Sequence, residues 1–314
     1  MTSQNTNGGE APQTGLLSEM ADTANLKAIV FLSIAMTAFA FDDMFIKLAS
    51  AEIGVGQILS IQSLLALAYF AWLARVKGHR LTREALFSRA VLIRNAGEAT
   101  GAVCFVIALS LMPISNASAI LQAAPLAVTL GAAVILRETV GWRRWVAVVA
   151  GFAGVLLVMR PGLAGFNAAS LFAVAAVFGL ALRDLYTRAV PRSIPTEIIA
   201  LISNAVVLTV SVILQTATSP WSLMSSYATA MVLCASFFGI IAIHLVTIAL
   251  RIGEVSVLAP FRYVRVVIAI GVGVVVFGER PDMYTWIGTG LIVAGGLYAL
   301  YREQIVGNRK RNDL

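Results

Sequence analysis

The chain of 314 residues is 59% hydrophobic and only 12% charged, with a mean hydropathy of +0.86. A soluble domain that apolar could not cover its surface with polar groups, so a water-soluble globule is excluded and a multi-pass membrane protein is implied. The net charge of +7 does not point to nucleic acid, because the basic residues sit in short connections between apolar runs.

Residues 1–25, "MTSQNTNGGEAPQTGLLSEMADTAN", are polar and are expected to form a disordered tail without a cleaved signal peptide. Ten runs long enough to cross the hydrocarbon core follow, near 27–48, 53–74, 90–112, 115–136, 144–160, 167–187, 195–217, 228–250, 254–277 and 283–302. With ten spans, 17 Lys and Arg residues fall on one side and three (Lys47, Arg160, Arg280) on the other. Basic connections stay in the cytoplasm, so both termini are expected inside. Cys104 and Cys234 both lie in apolar runs and show neither disulfide nor metal spacing.

Several spans carry polar residues that a lipid-facing helix would avoid. The first contains "FAFDDMFIKLAS" (39–50), in which Asp43 and Lys47 are four apart and can pair along one helix face. The third contains "RNAGEATG" (94–101). Arg94 and Glu98 can neutralise each other there, or line a solute path with Glu98 as proton carrier. Gly97 and Gly101 form a face for close helix packing. The fourth, "SNASAILQAAP" (115–125), offers Gln122 and a helix-loosening Pro125. Asp184 and Arg188 repeat the i, i+4 acid and base at the end of the sixth span. The seventh span holds Asn204, and the eighth holds His244, the only histidine in a span and a second candidate for proton relay. In the ninth, "VLAPFRYVRVVIAI" (257–270), Arg262 and Arg265 are three apart and are expected on one face, beside Tyr263 and after Pro260.

A shift of 141 residues lays the chain on itself. Asp43 then meets Asp184, Lys47 meets Arg188, Ser115 meets Ser256, Glu138 meets Glu279, Trp145 meets Trp286, and Ala153-Gly154 meets Ala294-Gly295. Asp42 meets Arg183 instead of a second acid. Matches of Asp, Glu and Trp in one register indicate a true repeat. Each half therefore holds five helices, and an odd number reverses the second half relative to the first. The expected divisions are a first repeat over 26–160, a linker over 161–166, a second repeat over 167–302 and a basic cytoplasmic tail over 303–314. Asp43 with Lys47 and Asp184 with Arg188 are then related pairs near opposite faces. They serve either as helix-end ion pairs or as matched gates.

The two halves end in "LGAAVILRETVGWRRWVAVVAGFAGVLLV" (130–158) and "IGVGVVVFGERPDMYTWIGTGLIVAGGL" (270–297). Each has an apolar helix, a Glu at its exit, a polar turn and a Gly-containing last helix. In this the chain resembles the drug/metabolite transporter superfamily, in its EamA-like branch. The segment around "APFRY" resembles carriers that take up S-adenosylmethionine and riboflavin. The resemblance implies an all-α, ten-helix secondary carrier of the bacterial inner membrane. Its two inverted five-helix repeats would enclose a central cavity walled mainly by the third, fourth, eighth and ninth helices. Arg94, Glu98, Gln122, Arg262, Tyr263 and Arg265 are the residues expected to bind solute, with Phe105 and Phe261 as stacking surfaces.

No GxxxxGK[ST] segment is present, and no nucleophile, base or metal-ligand cluster suggests an enzyme. The expected partners are a small polar solute and membrane lipid, with no cofactor and no metal. A homodimer is compatible with the pattern. Riboflavin uptake is the best single expectation, since arginine beside aromatic residues suits a flat, oxygen-bearing ring. S-adenosylmethionine is the rival, with its positive charge opposed by three intramembrane arginines facing one clear acid, Glu98. Export of an amino acid or another metabolite, and a non-transporting membrane scaffold, complete the alternatives.

Overall fold

A computed structural model describes residues 11–312 other than 136, 138–140, 163–165, 192 and 254. At 11–22, 251, 255, 256, 259 and 303–312 it describes the backbone alone. Glu138, one member of the Glu138/Glu279 repeat match, therefore lies outside the described residues. Every regular element among the described residues is helical. Among the described residues, ten segments are long and apolar enough to cross a bilayer: spans 1 (Thr23–Ala49), 2 (Val55–Val76), 3 (Arg89–Leu111), 4 (Ile114–Val134) and 5 (Trp142–Met159), then 6 (Ser170–Thr187), 7 (Thr196–Thr218), 8 (Ser226–Leu250), 9 (Pro260–Phe277) and 10 (Met283–Arg302).

Local chemistry sets where these helices start and stop. Pro113 and Pro195 stand immediately before spans 4 and 7, where a missing N–H costs nothing. Ser225 caps span 8 by accepting from the Ala228 N–H at 3.0 Å. Span 9 ends at Gly278, whose φ of 64° is open to glycine without strain.

The first helix begins at Ala11, so the tail expected to be disordered over 1–25 is helical from residue 11 onward. The physical reason lies in its composition. Pro12 falls in the first turn, where proline is tolerated, and the Leu, Glu, Met and Ala residues that follow are strong helix formers. At the other end the last helix continues unbroken to Asn312.

Packing follows the repeat. Span 1 lies mainly on span 8, and span 3, the mate of span 8, lies mainly on span 6, the mate of span 1. Span 5 packs on its own mate, span 10, and span 2 on its own mate, span 7. Small residues allow these approaches. A Cβ on Gly97 would come within 2.6 Å of the Gly179 carbonyl, and a Cβ on Gly179 within 2.6 Å of the Gly101 nitrogen, so spans 3 and 6 meet backbone to backbone. Spans 5 and 10 meet in the same way at two related points. A Cβ on Gly154 would lie 2.6 Å from the Gly288 carbonyl, and one on Gly295 would lie 2.8 Å from the Ala147 carbonyl. Residues 147 and 288, like 154 and 295, are separated by the repeat shift, so the seam maps onto itself.

Candidate functional site

Spans 4 and 9 are both interrupted, at equivalent places. Span 4 is a helix over Ile114–Leu121, a break at Gln122 and Ala123, and a second helix over Ala124–Val134. The chain of span 9 runs as a short helix over Val255–Leu258, a 3-10 turn over Ala259–Tyr263 and an α-helix over Val264–Phe277. Gln122 and Tyr263 are matched by the repeat. The breaks also touch, since the Gln122 amide donates to the Arg262 carbonyl at 3.2 Å. Broken helices leave backbone carbonyls and amides unpaired inside the bundle, where a solute can use them. Pro125 and Pro260, which each lack an N–H, stand in or next to the breaks.

Tyr263 is buried, and its hydroxyl has no hydrogen-bond partner among the described residues. The ring sits against Gly296, where an added Cβ would lie 1.8 Å from the hydroxyl oxygen.

The two arginines of span 9 act on different acids. Arg262 stands in the 3-10 turn, is exposed, and acts electrostatically on Asp184 of span 6. Arg265 lies past the switch to α-helix and binds Asp43 of span 1 through both carboxylate oxygens, at 3.0 and 2.7 Å. Its guanidinium also lies over Phe39 at 4.9 Å and over Phe105 at 5.2 Å. Phe105 therefore packs on Arg265, while Phe261 joins a cluster with Leu32, Met36 and Leu258.

The local pairs expected at Asp43 with Lys47 and at Asp184 with Arg188 are not the ones formed. Lys47 donates to the Leu109 and Met112 carbonyls, at 2.9 and 2.5 Å, at the C-terminal end of span 3. Those carbonyls are orphaned by the helix end and attract a cation. Asp184 accepts from Arg183 Nε, its sequence neighbour, at 2.8 Å. An i, i+4 bond on a single helix is weak, and it gives way to partners on other helices for Asp43 and Lys47 and to the adjacent Arg183 for Asp184.

A second network joins spans 3, 6 and 7. Arg94 Nη2 meets Glu98 Oε2 at 3.2 Å, as the spacing predicts, and Arg183 Nη1 meets Glu98 Oε1 at 3.4 Å. Arg94 Nη1 also donates to Asn95 Oδ1 at 2.8 Å and to Ser203 Oγ. Glu98 is thus held between two arginines. Arg183, Asn95 and Ser203 were not anticipated as members. Arg183 carried a signal, since it replaces an acid in the repeat register. His244 lies apart from both networks. Its Nδ1 is 3.0 Å from the Tyr69 hydroxyl, and with exposed Phe237 both line a groove of about 420 Å³ between spans 2 and 8. Asn204 turns its amide onto the Ala200 carbonyl of its own helix at 2.8 Å.

At the end of the bundle opposite the termini, polar bonds lace the first half to the second. Glu279 accepts from the Ile114 and Ser115 N–H groups at 2.6 and 3.1 Å and from the Ser115 hydroxyl at 2.6 Å, so the acid after span 9 caps span 4. Gln57 donates to the Ser222 carbonyl at 2.8 Å, and its own N–H donates to Gln215 at 2.9 Å. Glu52 accepts from Ser225, Arg160 pairs with Asp282, and Asn167 donates to the Leu111 carbonyl at 3.1 Å.

Two inverted five-helix units meeting at matched helix breaks, with buried ion pairs on either side, define a membrane carrier built from repeats. The chain matches the EamA-like transporter family twice, over residues 26–160 and 167–301, and it belongs to that family. It is a multi-pass protein of the bacterial inner membrane. Relatives include the S-adenosylmethionine uptake transporter of Rickettsia conorii, 27% identical over 64% of this chain and 68% of that one. The riboflavin transporter of Vibrio cholerae is 28% identical over 64% and 67% of the two chains. That of Brucella anthropi is 25% identical over 86% and 96%. A solved crystal structure that is 18% identical superposes over 90% of this chain and 99% of its own with a TM-score of 0.59, which supports the fold.

Proposed function

We propose that this carrier takes up a planar nitrogen heterocycle bearing a hydroxylated chain, with riboflavin as the first solute to test. The observation that carries the reading is the contact between the two helix breaks at Gln122 and Arg262. There an amide and an exposed guanidinium supply donors and an acceptor for a ring edge. Relatives named riboflavin transporters support the same chemistry. The two units, 26–160 and 167–302 joined by 161–166, move against each other, and both termini face the cytoplasm, as the distribution of Lys and Arg requires. Gln122, Arg262 and Tyr263 contact the solute, Arg94 and Glu98 shape its path, and Asp43 and Asp184 hold the moving surfaces through their arginines.

S-adenosylmethionine remains the second reading, and one observation strengthens it. Glu98 is not the single acid among the intramembrane arginines, since Asp43 pairs with Arg265 and Asp184 with Arg183. Relatives named for S-adenosylmethionine uptake support this reading. Uptake of labelled riboflavin and labelled S-adenosylmethionine into vesicles with and without the protein separates the two. Saturable, protein-dependent uptake of riboflavin is expected. Arg262→Ala should reduce it tenfold or more at unchanged protein level, since a lost charged hydrogen bond costs roughly 1.5–3 kcal/mol. Failure of both solutes to enter would refute the substrate class.

A further inference from the structure

Asp42 stands out among the carboxylates of the described spans. Asp43 is held by Arg265, Glu98 by Arg94 and Arg183, and Asp184 by Arg183. Asp42 has no basic side chain within ion-pair distance among the described residues. Its Oδ1 accepts instead from the neutral Gln62 amide of span 2 at 2.9 Å. The nearest guanidinium, Arg265, already spends both arms of its fork on Asp43. The local sum is two carboxyl groups against one cation, about 10 Å below the end of span 1 at 1.5 Å per residue. A lone charge at that depth is costly, and a bound proton removes it.

The second carboxyl oxygen is left approachable. A Cβ on Gly239 of span 8 would lie 3.2 Å from Asp42 Oδ2, so any larger residue there would cover the oxygen. The charged groups facing Asp42 are Asp43 on its own helix and Arg265 from span 9. Span 2 presents Gln62 and, seven residues further along, Tyr69, while span 8 presents Gly239 and, five residues along, His244 bound to Tyr69.

We propose that Asp42 is the proton-binding site that couples solute uptake to proton entry. The carboxylate takes a proton from the outer side, becomes neutral, and releases it inward once the halves have exchanged faces. One proton then accompanies each inward cycle and no covalent step is involved. Gln62 holds the carboxyl in place and Gly239 keeps its free oxygen open. Coupling rests on the carrier reading above, whereas protonation of Asp42 does not.

Two measurements test the proposal. Infrared difference spectra of the reconstituted protein, in H2O and D2O, should show a protonated-carboxyl band in the wild type. Asp42→Asn should lose it and Asp42→Glu should keep it; identical spectra for wild type and Asp42→Asn would overturn the site. In proteoliposomes, an outside-acid gradient should drive riboflavin accumulation by the wild type. Asp42→Asn should still exchange riboflavin across the membrane yet lose the gradient-driven accumulation. Accumulation by Asp42→Asn equal to wild type, or wild-type uptake indifferent to the gradient, would overturn the coupling. Should riboflavin not be carried at all, the substrate reading has failed, and the infrared comparison still decides whether Asp42 holds a proton.

Discussion

Arg265 uses its whole side chain, with two hydrogen bonds to Asp43 and a ring at either hand, Phe39 and Phe105. Lysine cannot reproduce that planar fork. Asp43 is almost fully enclosed, at 1% exposure, so removing one member leaves an uncompensated buried charge. Arg265→Gln or Asp43→Asn alone should lower stability by about 3–5 kcal/mol, and the double variant should recover much of the loss. Unfolding curves in mixed micelles of the two single variants and the double variant measure this. Asp43 was conspicuous in the sequence as an acid in an apolar helix. Its partner was not legible, because the bond spans 222 positions and only a local partner, Lys47, can be found by helical spacing. Asp42 is the converse case. Its oddity in the repeat was visible, with Arg183 in the matching place, but its lack of a base required the packed structure.

At the scale of single helices, glycine decides how closely spans can cross. Gly154 sits where an added methyl would enter the Gly288 carbonyl. Gly154→Ala should therefore push spans 5 and 10 apart and cost roughly 1–3 kcal/mol, seen as a lower melting temperature, as overpacked interfaces do. Gly290 on span 10 faces open space, and Gly290→Ala should leave the melting temperature unchanged or slightly raised. The helix count, the repeat and the Gly-rich closing helices were all readable, because composition and register carry them. The break in span 9 was half readable through Pro260. The break at Gln122 was half readable in the same way, through the helix-loosening Pro125, although Gln122 itself is an ordinary helix former.

For the molecule as a whole, Lys77 with Glu197 ties the halves at the end that carries the termini, and several polar bonds tie them at the opposite end. Glu279 is central there, accepting three hydrogen bonds from residues at the start of span 4. Glu279→Ala should release that end. Cysteines placed at Asn116 and Thr285, whose side chains meet at 3.2 Å, should then react faster with a membrane-impermeant thiol reagent than in the protein with Glu279 intact. Equal labelling rates would show that the acid caps a helix without holding the halves together. Opposite orientation of the halves follows from five spans each, while the pairing of span 1 with span 8 and of span 3 with span 6 needed coordinates. Apolar helices of similar composition do not announce their neighbours.

The seam between spans 5 and 10 has a mechanical corollary. Because its two closest glycine contacts are carried onto each other by the internal symmetry, swapping the inward and outward shapes leaves them as they were. The seam can serve as a fixed spine. A covalent weld across it would be tolerated by a working transporter, whereas the same weld between the broken helices would freeze the cycle.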